Sequence, residues 1–162
     1  MKKILISAYS CDPYGVSESY AAFNWVKILC SHFEIYLITN EKNLNNIKNY
    51  YKAVPQNLRL YGIKADYPFQ NKKIIHETLK LGYFIFNYKL KKFLIKNISL
   101  IESSEILFHK SPSGIRYISC LSYFATRYKK NYVFGPTGGG LKPPRVLRRY
   151  FKKESLIFKL RN

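Results

Sequence analysis

The stretch Lys3-Ile4-Leu5-Ile6-Ser7-Ala8, near the amino terminus, decides the fold class. Its run of aliphatic side chains is typical of a buried strand in a parallel sheet, and the turn-forming segment Cys11-Asp12-Pro13-Tyr14-Gly15 follows it closely. After the turn, residues 17–29 carry apolar side chains at helical spacing, with Ser17 as the predicted N-cap. A strand, a turn and an amphipathic helix in this order predict the first half of a βαβ unit.

Strand and helix patterns continue to alternate along the chain. Further strands are predicted at residues 33–39, 58–63, 105–109 and 132–134, and further helices at 43–53, 72–96 (as one or two helices), 112–128 and 144–160. Crossovers of this length join parallel strands with right-handed connections, so the pattern predicts an α/β fold, a Rossmann-like doubly wound parallel sheet. We expect residues 1–162 to form a single domain, because no linker or repeat interrupts the pattern. Ligands of such sheets bind beyond the carboxyl ends of the strands.

The composition excludes several classes of protein. Of the 162 residues, 47% are hydrophobic and 17% aromatic, which is too much core-forming material for a disordered chain. Three widely spaced cysteines, Cys11, Cys30 and Cys120, form no Cys-x-x-Cys pair and argue against a disulfide framework or a zinc site. The first apolar run ends by Ala8, too short for a signal peptide, and no stretch approaches the roughly 18 residues of a membrane span. A cytoplasmic location is therefore predicted.

The chain is strongly basic, with 28 Lys and Arg against 9 Asp and Glu and a formal net charge of +19. Such a charge attracts polyanions, although a bias toward A/T-rich codons would also enrich Lys, Asn, Ile and Tyr without selection for binding. Two segments are more basic than this bias alone would give. They are residues 72–96, with a basic and partly amphipathic helix pattern, and residues 142–161. An anionic membrane, at the inner face of the plasma membrane, is the expected partner for them. Nucleic acid is not expected, since Arg is scarce and no reader motif is present.

Three loops follow predicted strands and are therefore expected at the carboxyl edge of the sheet. The first, residues 11–18, precedes a helix, where backbone N–H groups can face an anion, although it lacks the Gly-x-Gly-x-x-Gly dinucleotide fingerprint. The second places His109 at the end of the fourth strand, with a purely structural role as the alternative. The third, residues 135–144, has three consecutive glycines between prolines. It either lets a ligand approach the main chain closely or is a plain flexible loop.

These loops resemble those in the amino-terminal domain of retaining glycosyltransferases of family 4. Bacterial members of that family read Cys-Glu-Pro, Gly-Ser-Glu-Pro-Gly and Trp-Asn-Trp in the first loop and helix. The corresponding residues here are Cys11-Asp12-Pro13, Ser17-Glu18 and Phe23-Asn24-Trp25. The family's strand-four His, its following Arg and its Gly-Pro-x-Gly-Gly-Gly correspond to His109, Arg116, Gly135, Pro136, Gly138, Gly139 and Gly140. The resemblance spans nearly the whole chain.

The resemblance implies one half of a two-domain GT-B enzyme, which transfers a sugar from a nucleotide-sugar with retention at the anomeric carbon and requires no metal or other cofactor. The acceptor is expected to be a glycan or lipid-linked glycan of surface polysaccharide synthesis. In that family the amino-terminal domain mainly holds the acceptor, whereas the carboxyl-terminal domain binds the nucleotide-sugar and carries Glu-x7-Glu. By this resemblance His109 is the candidate catalytic residue, near the sugar, where it could donate a hydrogen bond. The candidate substrate-binding residues are Gly15, Ser17, Glu18, Asn24, Arg116, Gly138, Gly139 and Gly140.

The chain departs from the family in two respects. The side chains of Val16, Tyr20 and Ala22 replace family glycines, and they would crowd a phosphate that bare backbone should cradle. No Glu-x7-Glu and no second Rossmann domain follow before Asn162, so we expect a fragment or half of a split enzyme, with a separate carboxyl-terminal transferase domain as its partner. The alternative, from another functional class, is a non-catalytic basic α/β module that binds an anionic membrane or another polyanion.

Four further residues receive ordinary structural interpretations. Trp25 is predicted to lie in the core rather than to serve as a ligand platform. Glu102 and Glu105 are predicted to lie in a solvated loop rather than to act as a catalytic pair. Cys11 is not proposed as a nucleophile, because no partner base is visible.

Overall fold

The computed structural model describes residues 1–65, 81–112 and 117–135. Within these ranges the strands are β1 (Lys3–Ala8), β2 (Glu34–Asn40), β3 (Leu58–Ile63), β4 (Ile106–Ser111) and β5 (Asn131–Phe134). The helices are α1 (Glu18–Cys30), α2 (Leu44–Tyr51), α3 (Leu81–Lys96), α4 (Ile98–Glu102) and α5 (Cys120–Arg127), with a 3₁₀ turn at Glu41–Asn43.

The strands form one parallel sheet in the order β3-β2-β1-β4-β5. The chain steps outward from β1 to β3, then returns past β1 and continues outward on the other side through β4 to β5. The predicted α/β fold, a Rossmann-like doubly wound parallel sheet, is therefore confirmed. Strand order reverses between β1 and β4, and this switch point is where sheets of this kind open a crevice beyond their carboxyl ends.

Alternating side chains of the strands build a hydrophobic core on each face of the sheet. On one face Ile6 of β1 belongs to the same buried cluster as Phe23 of α1, and α2 adds to this layer. On the other face Leu5 clusters with Phe86 of α3 and Phe124 of α5. Because both faces are covered, the central strands are apolar along most of their length, as expected for a parallel sheet.

Most predicted elements lie within two residues of the observed ones, but the helix predicted at 112–128 is wrong in its first part. Tyr117 to Ser119 are not helical, and α5 begins at Cys120. The reason is local capping, because the Ser119 hydroxyl accepts a hydrogen bond from the backbone N–H of Leu121 at 3.2 Å. The first part of the predicted helix at 72–96, and all of the one at 144–160, lie outside the described residues.

The prediction that Trp25 lies in the core is also wrong. The Trp25 side chain is 42% exposed, whereas Ala22, Phe23 and Val26 are the buried residues of α1. Its indole ring meets the ring of Phe108 edge-on, with centroids 6.2 Å apart, at the side of an apolar groove of about 390 Å³. This groove runs between α1 and the strands β4 and β5, where no described helix covers the sheet.

Glu102 and Glu105 are exposed, as predicted, although Glu102 is the last residue of α4 and not part of a loop. His32, after α1, is also exposed. Among the described residues, no helix combines the length and the apolarity that crossing a bilayer requires.

Candidate functional site

The carboxyl ends of β1 and β4 form the centre of the candidate site. Ser7 of β1 pairs with His109 of β4, but the next pair joins Ala8 to Ser111, so Lys110 is an extra residue in β4. A one-residue bulge of this kind redirects the side chains that follow it. The register therefore changes at the switch point of the sheet.

The loop that leaves β1 is attached to the end of β4. The backbone N–H of Tyr9 donates to the carbonyl oxygen of Ser111 at 3.0 Å, and the N–H of Ser10 donates to the Ser111 hydroxyl at 3.3 Å. The first and second loops of the sequence analysis consequently lie side by side at one edge of the sheet.

The first loop is held by hydrogen bonds around Asp12. The Asp12 carboxylate accepts from the backbone N–H of Tyr14 and from the side-chain amide of Asn46, both at 2.9 Å. The Asp12 carbonyl oxygen accepts from the N–H of Gly15 at 3.2 Å. Gly15 also has a steric reason to lack a side chain, because a Cβ there would lie 2.9 Å from the Ser19 hydroxyl oxygen. The N–H groups of Tyr14 and Gly15, which sequence reasoning offered to a ligand, are thus bonded within the loop.

The start of α1 is different, because its capping side chain is not used. Ser17 occupies the N-cap position, as predicted, but it has φ 50° and ψ −117° and its side chain makes no capping hydrogen bond. A positive φ is unfavourable for a residue with a side chain. Within the described part of the chain, no hydrogen bond is found from the N–H groups of Val16 and Ser17. This helix end combines unbonded donors with the positive end of the helix dipole.

His109 is fully buried, and its ring stacks on that of Phe134 with centroids 5.4 Å apart. Its Nε2 lies 3.0 Å from the carbonyl oxygen of Pro112, which can only accept, so Nε2 carries the proton and Nδ1 is an acceptor. Among the residues that the structure describes, Nδ1 has no hydrogen-bond partner, and neither has the hydroxyl of Ser7, its neighbour across the strands. In this tautomer the Nε2 proton is already donated to the Pro112 carbonyl, and the buried Nδ1 is an acceptor, so the hydrogen bond that the sequence analysis expected His109 to donate to a sugar stays a prediction.

Burial is also the main influence on the charge of His109. It lowers the pKa of the imidazole to about 4, although the Pro112 carbonyl and the Glu18 charge act to raise it. The ring is consequently neutral near pH 7.

Lys110 is the residue that sequence reasoning missed. Its side chain is only 2% exposed, and burial lowers the pKa of its ammonium group, while the Glu18 carboxylate and the neighbouring Cys11 act in the opposite direction. These interactions indicate that the ammonium group lies near the first loop and the first turn of α1. The sequence did contain a signal for Lys110, which directly follows His109 at the end of an apolar strand. A charged residue is rarely buried in a strand without a partner, so a lysine at such a position is a candidate for a functional role.

Cys11 is buried beside this site. Burial raises the pKa of its thiol to about 12, so the thiol stays protonated near neutral pH. Among the described residues there is no group of three His, Cys, Asp or Glu side chains that could hold a metal ion.

The remaining predicted site residues differ in their placement. Glu18 lies in the first turn of α1 and is half-buried, and Asn24 lies about 9 Å further along that helix. Gly135 follows β5 at the same edge, with φ 117° and an N–H that donates to the His109 carbonyl oxygen at 3.1 Å. Arg116, Gly138, Gly139 and Gly140 lie outside the described residues. The described edge therefore brings together the first loop, the end of β4 and Gly135.

Comparison of the chain with protein-family models, with curated proteins and with solved structures finds no match in any of the three.

Proposed function

We propose that this chain is the acceptor-side domain of a retaining family 4 glycosyltransferase, which acts with a separate domain that binds the nucleotide-sugar. One observation carries the proposal: Ser17-Glu18 and His109, which match family motifs far apart in the sequence, lie near each other at the switch point of a doubly wound sheet. Ligands of this fold bind at that edge.

The chemistry of the crevice suits a sugar. The neutral imidazole of His109 has a buried acceptor at Nδ1 that lacks a partner among the described residues, and sugar hydroxyls are donors of the kind that this nitrogen can orient. A departing nucleoside diphosphate requires cations and N–H dipoles aimed at its oxygens, and the start of α1 and Lys110 supply both kinds of group. Transfer itself depends on the second domain, because the donor site is assigned to that domain.

The test uses the ¹⁵N-labelled full chain and an acceptor mimic, a short oligosaccharide on a polyprenyl diphosphate in detergent micelles. We expect amide shifts at residues 9–12, 14–18 and 109–111, and none with empty micelles. His109→Phe keeps a ring against Phe134 but loses the acceptor, so binding should weaken by about tenfold, the worth of roughly one hydrogen bond. His32→Phe, at an exposed position, is the matched control and should bind normally. Shifts confined to α3, or no shifts, would contradict the proposal.

The surface of α3 favours a second candidate function, the binding of an anionic membrane. Phe84, Tyr88 and Ile95 share one helix face and are 50%, 59% and 59% exposed. Lys91 and Lys92 are exposed on the same side of the helix, and the Lys92 ammonium lies 4.5 Å from the centroid of the Tyr88 ring. An apolar stripe flanked by lysines is typical of helices that lie in a membrane interface.

Vesicle flotation tests this second candidate. The chain should float with phosphatidylglycerol vesicles, remain unbound with phosphatidylcholine vesicles, and detach as salt is added, because counterions screen the attraction. The double variant Phe84→Ser/Ile95→Ser should lose flotation, whereas Ile28→Ser, which alters a 61% exposed residue on α1, should retain it. Equal binding to both vesicle types would exclude an anionic membrane site.

A further inference from the structure

We propose that the apolar groove between α1 and the strands β4 and β5 is the docking site of this chain's own segment 144–160, bound there as an amphipathic helix. The segment lies outside the described residues, and its helix is a prediction from the amino-acid sequence. The inference does not depend on the proposed function, because it concerns a face of the sheet rather than its carboxyl edge.

The first argument is the surface of the groove. The groove has a volume of about 390 Å³ and is lined by apolar side chains of α1, β4 and β5, among them Leu29, Phe108 and Val133. Val133 is 44% exposed, and the Trp25 side chain beside it is 42% exposed. A contiguous apolar surface that is open to this extent is typical of a place to which another element binds.

The second argument is the width of the uncovered surface. On the opposite face α5 packs against both β4 and β5, whereas no described helix covers β5 on the groove side. Parallel sheets are normally covered on both faces. Neighbouring strands lie about 4.8 Å apart and a helix is about 10 Å wide, so one helix covers about two strands. A single helix beside α1 would therefore complete this layer.

The third argument is the path of the chain. Gly135, the last of the described residues, itself lines the groove. Residues 136–143 can span at most about 26 Å at about 3.3 Å per residue, which is about twice the length of the four-residue strand β5. The connection is therefore long enough for the helix to begin at either end of the groove.

The fourth argument is the side-chain pattern of residues 144–160. In a helix, one stripe of this segment is apolar and is interrupted only by Glu154. The apolar stripe consists of Val146, Leu147, Tyr150, Phe151, Ile157 and Phe158. All the arginines and lysines of the segment fall on the opposite face, together with Leu156 and Leu160. The groove is apolar, so the stripe would pack into it and the basic face would remain in solvent.

The experiment uses the fluorescence of Trp25, which is the only tryptophan of the chain, in the full chain. A docked segment should shift the indole emission to the blue and should protect the ring from quenching by acrylamide. The double variant Leu147→Ser/Ile157→Ser, with its two changes about 15 Å apart along the stripe, should shift the emission to the red and raise the quenching constant. Leu156→Ser/Leu160→Ser makes a matched change on the basic face and should leave both measurements as they are in the unaltered chain.

Three outcomes would overturn the proposal. Strong quenching of Trp25 in the unaltered chain would mean that the groove is open. Equal exposure of Trp25 in the two double variants would indicate general unfolding rather than the release of one helix face. Protection that is lost when the protein is diluted would assign the groove to a second copy of the chain.

A second measurement applies if the Leu147→Ser/Ile157→Ser variant fails to melt cooperatively. In the unaltered chain, with isotope-labelled Ile, Leu and Val methyl groups, the Trp25 indole N–H should give nuclear Overhauser effects to the methyl groups of Leu147 or Ile157. Effects confined to the groove residues Leu29 and Val133 would refute the docked segment.

Discussion

The two ends of the central strands differ in what they bury. Toward their amino ends, β1, β2 and β4 bury aliphatic side chains such as Leu5, Ile35 and Leu107. Toward their carboxyl ends the same strands bury polar side chains, all at most 8% exposed: Ser7, Thr39, Asn40, His109, Lys110 and Ser111. In a parallel sheet every strand ends at the same edge, so this difference divides the molecule into an apolar half and a polar edge.

The apolar half of the sheet stabilises the fold, whereas the polar edge carries the side chains suited to binding. Burying a polar group costs free energy unless it is hydrogen-bonded. At this edge the Ser7 hydroxyl and the His109 Nδ1 are buried without a partner in the described part of the chain. Aliphatic side chains at these positions would avoid that cost. Binding sites commonly retain such unfavourable groups because their function needs them, and the apolar half of the sheet supplies the compensating stability.

The largest expected effect comes from the apolar half. Leu107→Ala removes a fully buried side chain from β4 and should lower the free energy of unfolding by about 2–5 kcal/mol, as measured by urea denaturation. Lys110→Met, only three residues away, should change it by less than about 1 kcal/mol or raise it, because an apolar residue replaces a buried charge. A loss from Lys110→Met as large as that from Leu107→Ala would break the comparison.

The next effect is a pH dependence that arises at the polar edge. The folded-state pKa of His109 lies at about 4, below the 6.5 of a free imidazole, so the unfolded chain binds more protons between these two values. Stability should therefore fall as the pH is lowered from 6.5 to 4, by about 3 kcal/mol in all.

Urea denaturation at intervals from pH 7 to pH 4 measures this pH dependence. The decline should be shallower in His109→Phe, which cannot take up the proton, and unchanged in His32→Phe. An identical decline in all three proteins would show that His109 is not the responsible group.

A smaller effect is expected in the first loop. Gly15→Ala introduces a Cβ at 2.9 Å from the Ser19 hydroxyl oxygen and 3.0 Å from the Ser19 Cβ, and should cost about 1–3 kcal/mol. A double-mutant cycle with Ser19→Gly checks the cause, because removing the opposing side chain should recover part of the loss. Purely additive losses would mean that the two residues do not clash.

The smallest effect is expected at the junction of the two loops. Ser111→Ala removes the acceptor for the Ser10 N–H and should lower the free energy of unfolding by about 1 kcal/mol. Ser103→Ala provides the control, because the Ser103 hydroxyl is exposed and its bond to the Leu100 carbonyl is long, at 3.4 Å. If the two variants have the same free energy of unfolding in urea denaturation, the hydrogen bond between Ser10 and Ser111 does not stabilise the fold.

Local patterns explain which parts of the fold could be predicted. β1 and β3 were predicted with their observed bounds, because short apolar or alternating runs between turn residues are local signals. Trp25 was misplaced because helical spacing alone does not determine how a helix rotates against a sheet, and the described structure has no further layer over β4 and β5 at that point. The start of α5 was misplaced because Ser119 caps the helix eight residues into the predicted span.

The amino-acid sequence by itself determined the alternation of strands and helices, and with it a doubly wound parallel sheet whose carboxyl edge carries the first loop and His109. Only the tertiary structure decided the burial of Lys110 and the buried Nδ1 of His109 that lacks a partner among the described residues. The physical reason is that these features depend on the pairing of β1 with β4, and on one extra residue in that pairing. Those strands lie far apart in the chain, so no local pattern of side chains records how they meet.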